Sequence, residues 1–248
     1  MFDPIKLTEE VKKIVCRDNE RLYARFRPAR FYGGISSCDV CGCNLRCIFC
    51  WGWKFVNQPE KYGKFYSAKE VAKRLIGITE KFKFRTLRIT GAEPSIGREH
   101  LLKLLELISQ TNYSFILETN GILIDNNYAA QLAKYKDFIH VRVSLKGSNE
   151  EEFSKLTGAK PEAFELQLNA LRNLLSADVP CHPAVMVSFS SKENIRNLRE
   201  RLKAIAPEFA DFEQEELILY SNIKQRLEQA GIKYKSAYEP ERTPKRLI

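Results

Sequence analysis

Three cysteines within eight residues, Cys43, Cys47 and Cys50, form a C-x3-C-x2-C run in which one short loop supplies three thiolates. Structural zinc sites and ordinary protein-held iron–sulfur clusters use four ligands. Three protein ligands leave one iron of a cluster open, and an open metal position is a place for chemistry. The chain holds seven cysteines, an odd number, and four of them fall between Cys41 and Cys50. In a reducing compartment that pattern reads as metal ligation and not as a disulfide framework.

A rival reading of the same residues is a zinc knuckle, since Cys38-x2-Cys41 and Cys47-x2-Cys50 make two C-x2-C pairs. Only five residues separate the pairs, whereas zinc ribbons leave about 15 to 20. The remaining cysteines, Cys16, Cys38, Cys41 and Cys181, have two readings: ligands of an auxiliary cluster, or small buried apolar side chains. His100, His140 and His182 are isolated in the sequence and read as packing or hydrogen-bonding residues. Trp51 and Trp53, just beyond the last cysteine, either shield the metal site or stack on a substrate, or simply pack the loop.

Positioning such a loop calls for a rigid sheet. Ile35 to Val40, immediately before it, has the β-branched, apolar character of a strand. Five later segments read the same way: Thr86 to Thr90, Ser114 to Glu118, Ile139 to Ser144, Pro183 to Phe189, and Glu216 to Tyr220. Helical stripes lie between them, as in Val71, Leu75, Ile78 and Phe82, with Ser67 and Glu70 as a capping box. Phe164, Leu168, Leu171 and Leu175 form another stripe, and Ile195, Leu198, Leu202 and Ile205 a third, with Ser190 and Glu193 as a second possible box. Alternating strands and helices predict a parallel sheet with right-handed crossovers, an α/β fold in the form of a partial (β/α)6 TIM-like barrel or an open α/β sheet. In such folds the loops after the strands gather at one end, where ligands bind. Here those loops are Cys43 to Cys50, Gly91 to Pro94, Thr119 to Gly121, Ser144 to Gly147, Ser190-Ser191 and Ser221-Asn222.

With 248 residues and 44% hydrophobic content the chain can bury one sizeable core. No apolar run approaches the roughly 18 residues that span a bilayer, and Met1 to Lys6 lacks a signal-peptide profile, so a cytoplasmic protein without membrane contact is expected. The net charge of +9 gathers at the ends: residues 1–33 carry eight Lys/Arg against five Asp/Glu, and residues 221–248 carry seven against three. The expected organisation is a basic, helical N-terminal extension (1–33), a core domain (34–221) and a basic C-terminal extension (222–248). Basic ends suit nucleic acid or an acidic electron-carrier protein, and equally a solvated surface.

The cysteine triad at the end of a first strand, with Gly91-Ala92-Glu93-Pro94 after the second, resembles the radical S-adenosylmethionine (SAM) superfamily over roughly residues 35–221. Within it the chain looks most like the small glycyl-radical-enzyme activases and their relatives. The resemblance implies a four-iron four-sulfur cluster on Cys43, Cys47 and Cys50, whose fourth iron is chelated by SAM. It also implies reductive cleavage of SAM to a 5′-deoxyadenosyl radical, which abstracts a hydrogen atom. A low-potential donor of flavodoxin or ferredoxin type is implied as a partner.

Carried over by position, the backbone of Phe49 lies near the adenine. Gly91, Ala92 and Glu93 meet the methionine amino group, through backbone carbonyls and the Glu93 carboxylate. Ala92 stands where the family usually has a second glycine, which is tolerable unless the backbone there needs a positive φ. Ser144 and Lys146 fall in the place of an activase Asp-Leu-Lys, for the ribose and the SAM carboxylate. Glu118, before the Thr119-Asn120-Gly121 turn, replaces another family Asp and is placed to hydrogen-bond to the ribose hydroxyls or to a partner; Asn120 counts among the cofactor-binding residues. Ser221 stands where activases have a SAM-contacting His. These departures favour a divergent relative over a true activase. The Cys50-Trp51 pair also occurs in the wybutosine-type tRNA-modifying branch, so protein and tRNA substrates both remain open, beside a non-catalytic zinc-binding module.

Overall fold

Asp3 accepts hydrogen bonds from the backbone N–H groups of Ile5 and Lys6 and so starts helix α1 (Pro4–Val15). The computed structural model describes residues 1–220 and 222–244. After α1 come two antiparallel strands, β1 (Cys16–Arg17) and β2 (Glu20–Ala29), then β3 (Ile35–Val40) and the cysteine loop. Two short helices, α2 (Trp53–Asn57) and α3 (Pro59–Tyr62), lead to β4 (Lys64–Ser67) and α4 (Ala68–Phe82). The regular alternation follows: β5 (Thr86–Gly91), α5 (Arg98–Ile108), β6 (Ser114–Thr119), α6 (Asn126–Leu132), β7 (Ile139–Leu145), α7 (Glu150–Thr157) and α8 (Ala163–Ser176). The last elements are β8 (Cys181–Met186), α9 (Lys192–Lys203), β9 (Glu213–Glu215) and α10 (Ile223–Gln229).

The strands form one open sheet of order β1-β2-β3-β5-β6-β7-β8-β9, with β4 also paired to β2. The six strands from β3 and β5 to β9 are parallel, as a partial (β/α)6 barrel requires. Period-2 alternation divides each strand between two faces. Leu87, Ile89, Phe115, Leu117, Val141, Val143 and Val185 point to the helices and join the main core. The opposite, inner face carries Ser37, Asp39, Arg88, Glu118, Arg142 and Ser144, joined by side-chain hydrogen bonds and ion pairs.

The capping box at α4 forms as expected: the Ser67 hydroxyl accepts from Glu70 N, and the Glu70 carboxylate accepts from Ser67 N. At α9 the cap is Ser191, which accepts from Asn194 N. Ser190 instead donates to Glu152 at 2.5 Å, so the expected Ser190/Glu193 box is displaced by one residue.

Two other expectations need correction. Residues 1–33 are helical over α1 and a single 3-10 turn at Phe31–Gly33, and are otherwise largely strand. The charged stretch Glu20–Ala29 is a ten-residue strand that extends the sheet beyond β3, with partners Arg25↔Asp39 and Arg27↔Ser37. The last parallel strand lies earlier than Glu216–Tyr220, over Glu213–Glu215, because Arg142 on β7 neutralises its two glutamates. Residues after it leave the sheet, and Ile218 bridges to Tyr238. Among the described residues, no helix is long and apolar enough to cross a membrane.

Candidate functional site

The cysteine loop leaves the sheet at the C-terminal end of β3 and is clamped from four sides. Gly42 has φ +77°, and a side chain there would strike Val11 and Val15 of α1, so the loop sits directly on that helix. Asn44, fully buried, donates to Thr8 of α1 at 3.1 Å and accepts from Asn120 of the β6 turn at 2.8 Å. Arg46 N and Ile48 N donate to the carbonyls of Thr157 and Leu156 at the end of α7. From the C-terminal segment, the Arg226 guanidinium donates to Ile48 O at 3.0 Å and Cys50 O at 2.7 Å while lying over the Trp53 ring.

These clamps gather three thiols in a partly buried setting. Burial pushes the Cys43 thiol up to about 12, with Glu93 and Cys50 adding to the effect. It carries Cys47 well above its ordinary value, partly countered by Lys146, and raises Cys50 as well. Three mutually repelling thiolates need positive charge delivered among them, which the irons of a cluster supply. Cys43 Sγ also accepts from Leu45 N at 3.4 Å and from Asn120 Nδ2 at 3.8 Å, hydrogen bonds suited to a metal-bound sulfur. The donor set therefore fits a cluster.

The other cysteines lie apart. Cys38 is buried in the main core and donates to Arg88 O, Cys41 packs with Val11, Val15 and Leu22, and Cys181 starts β8. Cys16 lies beside Gly97. Cys38 and Cys41 thus occupy different apolar clusters from each other, and neither completes a four-cysteine zinc site with Cys47 and Cys50. Among the described residues, no three His, Cys, Asp or Glu side chains close around a single ion.

The rim turns meet the cysteine loop as the strand order requires. Gly91 has φ +101°, and a Cβ there would lie 2.9 Å from Asp39, so only glycine lets β5 run this close to β3. Ala92 is not among the positive-φ residues, so its methyl group is accommodated; its N–H donates to Val40 O. Glu93 is 1% exposed. Its Oε1 accepts from Ser95 N, Ser95 Oγ and Thr119 Oγ1, and its Oε2 accepts from Asn120 N at 2.8 Å. This carboxylate is turned into the protein and locks the β5 turn to the β6 turn; only Oε2, with its single recorded bond, keeps acceptor capacity.

Further round the rim, Lys146 Nζ is 3.5 Å from Glu215, and Cys47 and Cys50 lie within its electrostatic reach. Ser144 Oγ accepts from Arg142 at 2.9 Å and is 3.4 Å from Glu215. Glu118 accepts from Arg88 at 3.1 Å and from the Thr90 hydroxyl. Phe49 is buried with Leu156, Met186 and Leu217 and packs on the Phe189 ring at 5.4 Å. Ser221 lies outside the described residues.

Sequence reasoning missed the inner face below this rim. Arg142 binds Glu213 in a two-bond fork and reaches Glu215 at 2.7 Å. Burial opposes ionisation of Glu215, yet Lys146 and Arg142 outweigh it and hold its carboxyl down at about 2. His140 and His182, isolated in the sequence, meet across β7 and β8 at 2.6 Å, and His182 continues to Glu213 at 2.9 Å. His100 is structural, bonded to Tyr23 and Asn19 O. A signal was present: Arg88 stands between Leu87 and Ile89, and Arg142 between Val141 and Val143, each a charge flanked by apolar residues within a strand.

Residues 39–202, about two thirds of the chain, match the Radical SAM superfamily. The chain belongs to that superfamily. Its cofactors are a four-iron four-sulfur cluster and SAM, and the three-thiol loop fits the first of them. Among curated relatives, 7-carboxy-7-deazaguanine synthase of Aquifex aeolicus is 36% identical over 106 residues, 43% of each chain. A probable GTP 3′,8-cyclase of Methanococcus vannielii is 31% identical over 147 residues, 55% of this chain and 47% of that protein. The matches span less than half the length of these relatives. Two solved structures share the fold. SuiB of Streptococcus suis, bound to precursor peptide SuiA, has a TM-score of 0.57 at 20% identity, covering 79% of this chain and 40% of that one. The anSMEcpe structure with bound AdoMet has a TM-score of 0.51 at 21% identity, covering 71% and 47%.

Proposed function

We propose that this protein reductively cleaves SAM and removes a hydrogen atom from a small polar substrate seated over the inner face of the sheet. The observation that carries the reading is the convergence of three partly buried thiols with the β5, β6 and β7 turns at one rim. Bound there, the cluster and SAM supply an electron and a carbon-centred radical that takes hydrogen from the substrate.

The protein's share is binding, orientation and exclusion of water. Cys43, Cys47 and Cys50 hold three corners of the cluster, and Asn120 orients Cys43. The carbonyls of Gly91 and Ala92 and the remaining acceptor site on Glu93 Oε2 take the amino group of SAM, while Lys146 takes its carboxylate. The backbone of Phe49 borders the adenine, and its ring, with Phe189, closes that side to solvent. Ser144, Glu118 and Asn120 complete the ribose side. A flavodoxin- or ferredoxin-type donor delivers the electron beside exposed Trp51, Lys54 and Lys61.

A small polar substrate is favoured over a protein or tRNA because the inner face carries a run of paired charges, Asp39, Arg88, Glu118, Arg142 and Glu215, between apolar Phe31, Ile116 and Ala184. The names of the curated relatives, a GTP cyclase and a deazaguanine synthase, point the same way. Anaerobic reconstitution should give about four irons per chain and dithionite-dependent 5′-deoxyadenosine. Zinc binding with no deoxyadenosine would overturn the reading. Activation of a glycyl-radical partner or modification of tRNA, with no small-molecule turnover, would replace its substrate assignment with the activase-like or wybutosine-type one.

A further inference from the structure

The inner face is almost balanced in charge, and the balance fails at one place. Arg88 is matched by Glu118, and Arg142 with Lys146 is matched by Glu213 and Glu215. On β2 and β3, however, two guanidiniums share one carboxylate: Arg25 Nε and Arg27 Nε both donate to Asp39 Oδ2, and Arg27 Nη2 donates to Oδ1. The Asp39 side chain is fully buried, whereas the side chains of Arg25 and Arg27 are 48% and 27% exposed. Among the described residues, Arg25 Nη1 and Nη2 and Arg27 Nη1 have no hydrogen-bond acceptor. One positive charge is left over, on side chains that are partly exposed.

The location gives that charge a use. Asp39 lies against Gly91, whose missing side chain would be 2.9 Å from it, so the pair sits directly beneath the β5 turn. Arg25 also lies over the Trp51 ring, next to the last cysteine. Asp39 thus holds the two guanidiniums together on the inner face, Arg25 beside the cysteine loop and Arg27 two residues further along β2. Planar N–H forks match the oxygens of a carboxylate or phosphate.

We propose that Arg25 and Arg27 form the anchoring subsite for an anionic group of the substrate, a carboxylate or a phosphate, beside the SAM site. The inference rests on the reading of a small substrate on the inner face. It adds the chemical class of that substrate: an anion held by a guanidinium pair that the antiparallel strand β2 brings to the parallel sheet.

Reconstituted holoprotein is treated with phenylglyoxal, and modification of each arginine is followed by peptide mass spectrometry. Pyrophosphate, malonate and sodium chloride are compared at matched ionic strength. Millimolar pyrophosphate or malonate should slow modification of Arg25 and Arg27 several-fold while leaving exposed Arg242 unchanged. Protection by pyrophosphate alone assigns a phosphate, by malonate alone a carboxylate, and by both the shared anion chemistry. Equal protection by chloride, or none by any anion, overturns the proposal. In titration calorimetry Arg25→Gln should weaken the protecting anion by about tenfold or more, and Arg25→Lys should restore only part of that, since it keeps the charge and loses the fork. Iron content verifies that each variant is folded and loaded, and unchanged affinity in both variants overturns the proposal. The outcome is separable from the preceding reading: anion binding without deoxyadenosine formation would leave the subsite standing and remove the SAM chemistry.

Discussion

The two faces of one sheet are built by opposite rules from alternate residues of the same strands. Toward the helices, Leu87, Ile89, Phe115, Leu117, Val141 and Val143 are fully or almost fully buried and interlock with α4, α5 and α8. Toward the inside, Arg88, Glu118, Arg142 and Asp39 are equally deep or nearly so, yet each is ionisable and tied to an opposite charge. The helix-facing side stabilises the fold through apolar burial, on the order of 1.5–3 kcal/mol per large side chain. The inner side gains little net stability from its ion pairs, because desolvation offsets the Coulombic attraction. What the charges provide is a fixed polar surface beneath the rim.

The comparison can be broken most severely at the cysteines, which belong to both regions. Cys50→Ala should abolish iron retention, whereas Cys16→Ala should leave the iron content of the reconstituted protein unchanged. Equal loss in both, by iron assay and visible absorbance, would mean that the ligand set is wrong.

On the helix-facing side, Phe115→Ala should cost about 3–5 kcal/mol, read from urea unfolding, because it empties a fully buried ring site. On the inner side, Arg142→Met should cost a similar 3–5 kcal/mol near neutral pH by stranding Glu213 and Glu215 without their shared cation. The two variants differ in their response to acid. Glu215 has its carboxyl depressed to about 2 in the folded state. Its contribution is therefore fully present above the ordinary carboxylate range and is lost as the pH falls from about 4.5 toward 2. Arg142→Met should flatten that part of the stability profile, and Phe115→Ala should shift the profile without changing its shape.

Smaller effects sharpen the picture at the loop and at a helix end. Arg226→Ala removes both hydrogen bonds to the loop carbonyls and the contact with Trp53. It should speed iron loss to a chelator several-fold and alter the electron paramagnetic resonance line shape of the reduced cluster, with little effect on global unfolding. Ser67→Ala, in the capping box of α4, should cost about 1 kcal/mol of stability and leave iron content unchanged.

Legibility followed the same division. Helix-facing stripes announce themselves by period, so Val71, Leu75, Leu168, Leu171 and Leu198 were readable as core, and they are buried. The capping residues Ser67 and Glu70 were readable because the motif is local. Charged strands were not. Glu20–Ala29 carries three arginines, Arg21, Arg25 and Arg27, and Glu213–Glu215 has no apolar residue at all. Each becomes a strand only because a partner far along the chain, Asp39 for the first and Arg142 for the second, supplies the opposite charge. The one-residue shift from Ser190 to Ser191 at α9 has a similar origin: Glu152 of α7 captures the Ser190 hydroxyl.

The sequence by itself determined the local chemistry. A C-x3-C-x2-C loop after a strand, and a glycine-led turn after the next, state which atoms are available because spacing along a short loop limits where thiols can go. It also determined the alternation of strand and helix, and with it the end of the sheet at which the loops collect. Only the tertiary structure decided how the inner face is charged, that β2 adds Arg25 and Arg27 to it, and that Arg226 grips the cysteine loop from 176 residues beyond Cys50. The physical reason is that a buried charge is tolerated only beside its counter-charge, and those partners are brought together by strand pairing and packing, not by nearness in the chain.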